Sequence, residues 1–145
     1  MTPSTSSRSD PPDPDPPFPH VFIDRSLGRL IVPRILRAHG VSLTTLSEHY
    51  GEAAGQTVID TDWIRLTAER GWVGFHKDAA ISRNDAERDA VMESAARMFC
   101  IPRADITGED SAQRFIRNLE AIRLAAQSDG PFIYKVLAHH IERLY

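Results

Sequence analysis

The residue pattern predicts an α/β domain in three layers, with a mostly parallel central sheet covered by helices on both faces. Three observations carry this expectation. Short apolar runs recur along the chain, rich in β-branched and aromatic residues and without polar alternation, as in strands buried on both faces. Longer stretches with apolar residues on helical spacing lie between them. The two kinds alternate, which is the order of a sheet built from right-handed crossovers.

Val21-Phe22-Ile23 is the first such run, with Asp24 directly after it. Ser26 then offers an N-cap, and Leu27, Leu30, Ile31, Ile35 and Leu36 fall on helical spacing. Pro33 lies inside that pattern and either kinks the helix or moves its start forward. His39-Gly40 is a helix stop, and Val41 to Thr44 reads as a second strand. Residues 48–59 are polar, contain Gly51 and Gly55 and show no period, so a loop is expected. Asp60-Thr61-Asp62 supplies capping residues for a helix from about Trp63 to Arg70, stopped by Gly71. Trp72 to Phe75 is a third strand, with Lys77-Asp78 at its end. A helix over 85–96, a strand over 98–101 and one long helix over 111–127 follow. After Gly130-Pro131, Phe132 to Val136 reads as the last buried strand, and residues 141–145 can pair back on it.

The first nineteen residues do not join this pattern. They hold seven of the ten prolines and, beyond Met1, no aliphatic side chain. Such a segment cannot bury enough apolar surface to offset its ordering entropy. Residues 1–19 are expected to be a disordered Pro/Asp-rich tail, and residues 20–145 the folded domain. Lys and Arg number 17 against 20 Asp and Glu, a net charge of −3. No overall basic excess marks a nucleic-acid binder, although a local basic patch fits inside a neutral total. Cys100 is the only cysteine, which excludes an intrachain disulfide and a cysteine zinc cluster. No apolar run has the length of a membrane helix, and the N-terminus lacks a basic-then-apolar signal. A cytoplasmic location is expected.

In a parallel α/β sheet, strand ends and helix starts share one edge, and sites lie beyond the carboxyl ends of the strands. Asp24 and Asp78 follow candidate strands, and Asp60 opens a helix. Taken singly, such aspartates are common turn formers and N-caps. Together on one rim they would repel one another unless a cation sat among them. Hard oxygen ligands suit Mg²⁺ or Mn²⁺, which activates water and stabilises charge on a phosphodiester. Glu52, in the irregular stretch, and Asp62, two residues past Asp60, compete as a fourth acidic ligand. Lys77 and Arg83 flank Asp78 and could hold a phosphate backbone. The histidines show no ligand spacing, and Cys100 fits a core thiol.

The blocks Phe22-Ile23-Asp24-Arg25-Ser26-Leu27-Gly28-Arg29, Asp60-Thr61-Asp62-Trp63-Ile64, Arg70-Gly71-Trp72-Val73, Lys77-Asp78 with Ile81, and Gly130-Pro131-Phe132-Ile133-Tyr134 resemble the PIN-like domains of VapC-type toxins, in their compact actinobacterial branch. The resemblance spans nearly all of residues 21–145. It implies a three-layer α/β/α nuclease whose acidic cluster binds Mg²⁺ or Mn²⁺ and cleaves RNA, held inactive by a co-encoded antitoxin. By position, Asp24, Asp60 and Asp78 correspond to the family's catalytic, metal-binding aspartates. His76 stands where the family usually has threonine, and Ser82 precedes Arg83 where arginine is frequent. The expected function is therefore a metal-dependent endoribonuclease, the toxin of a type II toxin–antitoxin pair. The alternative is a catalytically weak PIN-like module that binds a protein partner or RNA. The near-neutral charge favours that alternative, as does an edge strand near residues 132–136 that could pair with another chain, a second copy included.

Overall fold

The computed structural model of the chain describes residues 17–77 and 84–145. Six strands form one sheet: β1 (Val21–Ile23), β2 (Leu43–Thr45), β3 (Val73–Lys77), β4 (Arg97–Ile101), β5 (Phe132–Val136) and β6 (Ile141–Arg143). Their order is β2-β1-β3-β4-β5-β6. The first five are parallel, and β6 returns antiparallel on β5 with Tyr134 opposite Arg143. The mostly parallel α/β sheet is the expected fold class.

The strands alternate in which face they serve. Val21 and Ile23, Phe99 and Ile101, and Phe132 and Val136 enter one core, while Phe22, Met98 and Ile133 enter the other. Both faces are covered, so both sets are apolar and no polar alternation survives in the sequence. The first core is closed by α1 (Ile31–Ala38), α6 (Gly108–Arg117) and α7 (Leu119–Ala125), with Phe115 stacked on Phe75 at 4.2 Å between centroids. The second is closed by α2 (Leu46–Tyr50), α4 (Asp60–Arg70) and α5 (Asp85–Ser94), with Trp63 stacked on Phe22 at 5.7 Å. Among the described residues no helix is long and apolar enough to cross a membrane.

Several element bounds differ from expectation for identifiable reasons. Pro33 is the third residue of α1, where its missing N–H has no intrahelical acceptor to lose. The helix therefore starts late, and Arg25–Leu27 is a separate 3-10 turn. The expected loop over 48–59 contains α2 and α3 (Glu52–Gly55). Thr45 and Glu48 form a reciprocal capping box that starts α2, a signal hidden because Thr45 also ends β2. The single helix expected over 111–127 is two. Asn118 is buried at the break, and its amide donates to the carbonyls of Arg114 and Leu137 at 2.8 Å each. That side chain ties the helix junction to the end of β5, and Leu124, past the break, is 55% exposed.

Phe18 packs against the first core. A chain beginning at Pro17 should keep that contact and melt within about 2 °C of the full chain. One beginning at Pro19 should lose about 1 kcal/mol of burial and melt roughly 4 °C lower. Calorimetry on the two truncations decides whether the folded unit starts before Phe18 or after it.

Candidate functional site

Strand β1 has β2 on one side and β3 on the other, so the chain order reverses direction across β1 and β3. Such a switch point opens a crevice at the carboxyl ends of the strands. Asp24 stands there. It follows Ile23 directly, its N–H donates to the Phe75 carbonyl of β3 at 3.1 Å, and its Oδ2 accepts from the Ser26 N–H at 3.2 Å. The residue is only 7% exposed, and its other oxygen, Oδ1, is buried with no hydrogen-bond partner among the described residues. A buried carboxylate oxygen without a partner is costly and calls for an explanation. Burial, and then repulsion from Asp60, push the Asp24 carboxyl above its usual range, against hydrogen bonds from Ser26 and Arg25 that favour the anion.

Asp60 is the first residue of α4, not a cap before it, because Ile59 occupies the N-cap. Its Oδ1 accepts the indole N–H of Trp63 at 2.8 Å, one turn on. Trp63 is fully buried between β1 and α4. A rigid core side chain thereby fixes the carboxylate's direction. Burial works against the anion, but hydrogen bonds from Glu87 and Trp63, and the charges of Arg25 and His76, hold Asp60 below the usual carboxylate range.

Glu87 completes the group. It lies in the first turn of α5, and its carboxyl hydrogen-bonds to that of Asp60. Burial, that hydrogen bond and repulsion from Asp60 and Asp24 push it up to about 8. Glu87 therefore carries the proton of the pair near neutrality, and Asp60 the charge. Local pattern does not single out Glu87. Asn84 three residues earlier accepts from the Glu87 N–H, so the segment reads as an ordinary helix start.

The other expected residues are placed as follows. Lys77 ends β3; its N–H donates to Ser26 Oγ at 3.0 Å and its ammonium reaches the Ile106 carbonyl at 3.4 Å. Asp78 and Arg83 lie outside the described residues. Glu52 begins α3, is well exposed and pairs with Arg29. Asp62 is exposed on α4, where its charge acts on Tyr50. The structure thus brings Asp24, Asp60 and Glu87 together, with Glu52 and Asp62 engaged elsewhere. Arg25, next to Asp24, donates to the carbonyls of Gly55, Gln56 and Val58 at 2.9 Å each, and so pins the segment leading into Asp60. His76 is buried on β3 with its ring 6.1 Å from that of Trp63.

Among the described residues, no group of three or more His, Cys, Asp or Glu is placed so that it could hold a metal ion. The donor chemistry nevertheless fits a divalent cation. Asp24 Oδ1 lacks a partner among the described residues, and burial together with two neighbouring carboxylates, whose repulsion a cation would relieve, holds the proton on Glu87.

The family model described as "PIN like domain" matches residues 19–103. A Mycobacterium tuberculosis protein named "Putative ribonuclease VapC45" is 54% identical over 125 residues, covering 86% of this chain and 91% of its relative. No solved structure gives a significant match. A parallel sheet with Asp24 at its switch point, the family match and the extent of this identity agree, and the chain belongs to the PIN-like domain family.

Proposed function

We propose that the chain is a metal-dependent endoribonuclease acting as the toxin of a type II toxin–antitoxin pair in the cytoplasm. The observation that carries this reading is the acidic group at the switch point: Asp24 with a buried oxygen that no described residue satisfies, beside an Asp60–Glu87 pair that shares a proton. The relative's name, a ribonuclease of the VapC series, supports the choice of RNA as substrate and an antitoxin protein as partner. A homodimer belongs to the same proposal, but not through residues 132–136: β5 is no edge, because β6 covers it, and β2 is the edge strand that a second copy could approach.

Asp24 and Asp60, with Asp78 and with Glu87 once deprotonated, would hold Mg²⁺ or Mn²⁺. The bound ion would supply water activation and charge stabilisation at the phosphodiester. Trp63 aims Asp60, and Arg25 holds the segment before it, so the carboxylates are fixed before substrate arrives. Lys77, and Arg83 beyond it, would position the phosphate backbone. The deciding experiment is cleavage of RNA by the purified protein with Mn²⁺ and with EDTA. Cleavage that depends on Mn²⁺ is expected. Folded protein that leaves RNA intact with every divalent ion supplied overturns the enzyme reading in favour of a binding module.

Trp63→Phe tests the aiming role. Phenylalanine keeps most of the stacking on Phe22 but removes the N–H that Asp60 accepts. Cleavage at limiting Mn²⁺ should fall about tenfold, the scale of losing one contact that orients a metal ligand. Added Mn²⁺ should restore part of it. A loss that metal does not relieve would make Trp63 a packing residue only.

A further inference from the structure

Helix α6 crosses the carboxyl edge of the sheet. Its start is close to α1, where Gly108 meets Ile31, and its last turns reach the end of β5. Arg114 lies 3.5 Å from the Val136 carbonyl, and Arg117 Nε donates to the Ala138 carbonyl at 2.9 Å. Both guanidinium groups are held by neutral carbonyls, which do not offset a positive charge. Arg103, just past β4, is close enough to add its repulsion to that of Arg117 on Arg114. It forms a two-bonded pair with Asp105 at 3.0 Å, and Asp105 in turn feels Lys77. A continuous chain of charge thus runs from Lys77, whose N–H is bonded to Ser26 two residues past Asp24, through Arg103 and Arg114 to Arg117. Asp105 and Asp110 neutralise part of it, and Glu109 stands about 100° further round the helix from Asp110. Two cations remain in excess. Three guanidinium groups gathered on one edge repel one another.

From this juxtaposition we infer that Lys77, Arg103, Arg114 and Arg117 form a phosphate-binding track that leads single-stranded RNA along α6 to the Asp24–Asp60–Glu87 site. The inference rests on the ribonuclease reading and adds to it the surface that takes the strand. Guanidinium groups suit phosphate oxygens through paired N–H donors. On the far side of Lys77 a groove of about 430 Å³ continues past Leu30 and Gly108. Leu30 there is 68% exposed and offers an apolar surface to a base. The track also explains how a chain of net charge −3 can hold a polyanion: the cations are concentrated on the edge that carries the site.

The test is binding of a labelled oligouridine about twelve nucleotides long to the full chain in EDTA, followed by anisotropy across a salt series, with Mn²⁺-dependent cleavage measured separately. Arg114→Gln combined with Arg117→Gln should weaken binding at least about tenfold at low salt. It should also reduce the slope of log affinity against log salt by about 1.4, two phosphate contacts at roughly 0.7 each. Arg114→Lys with Arg117→Lys should retain the slope, which guards against loss of folding as the cause. Arg65→Gln, on α4 and paired with Glu93, should change neither. An unchanged slope in the glutamine pair overturns the track, whether or not the wild type cleaves RNA. Wild-type protein that binds RNA with the expected slope loss but never cleaves keeps the track and overturns the nuclease. Absence of any RNA binding overturns the track and points the arginines towards a protein partner.

Discussion

Asp24→Asn and Asp60→Asn should each reduce RNA cleavage at saturating Mn²⁺ at least about a hundredfold, or roughly 2.7 kcal/mol of transition-state stabilisation. Asparagine keeps the shape of both side chains and their ability to accept the Ser26 and Trp63 hydrogen bonds. It removes only the anionic charge. The sign of the effect on stability separates function from fold. Asp24 is buried, carries an unpartnered oxygen and is repelled by Asp60. The neutral amide relieves that repulsion, so metal-free Asp24→Asn should melt at or above the wild-type temperature. Loss of cleavage together with retained or raised stability is the pattern of a site held at the expense of the fold. Thermal melts in EDTA and cleavage rates in Mn²⁺, on the same preparations, check both halves. Full activity in Asp24→Asn would sink the nuclease reading. A large fall in melting temperature would make Asp24 structural.

The strand runs and Asp24 were legible because both follow from local pattern. A strand buried on two faces reads as an unbroken apolar run, and the residue after it falls on the functional edge of a parallel sheet. The helix boundaries were less legible where one residue serves two elements. Thr45 ends β2 and caps α2, and Asn118 looks like one more helical residue until its amide is seen to bridge Arg114 and Leu137. The acidic neighbour of Asp60 is the hardest to see. Glu52 and Asp62 were candidates because they lie close to Asp60 in sequence. Glu87 lies far from it in the chain and meets it only because α5 packs against α4 over the second core. No periodicity encodes such a meeting. The basic track has the same character: four cations spread over β3, β4 and α6 form one edge only when the sheet is assembled.

Glu87 should reveal itself through protons as well as through metal. With the native pair holding Glu87 up to about 8, against 4.5 for an ordinary glutamate, the folded protein binds more protons than the unfolded chain between those two values. Stability of the metal-free protein must then fall as pH rises through that window. The raised Asp24 carboxyl adds to the same trend from its own lower starting point, whereas Asp60, held low, acts only at more acidic pH. Glu87→Gln removes the Glu87 titration but keeps a donor for Asp60, so its melting temperature in EDTA should fall less across the window than wild type's and exceed it at the alkaline end. Mn²⁺ acts in the opposite sense. A cation needs the deprotonated carboxylate, so its stabilisation of the wild type should grow with pH and offset the metal-free decline. Glu87→Gln should weaken Mn²⁺ binding at least about tenfold, the scale of losing a contact of a metal site. Glu52→Gln and Asp62→Asn, whose side chains are engaged with Arg29 and near Tyr50, should shift that affinity less than about threefold. Calorimetric melts at a series of pH values, with EDTA and with Mn²⁺, provide every comparison. Parallel curves for wild type and Glu87→Gln would remove Glu87 from the site and return the question to Glu52 and Asp62.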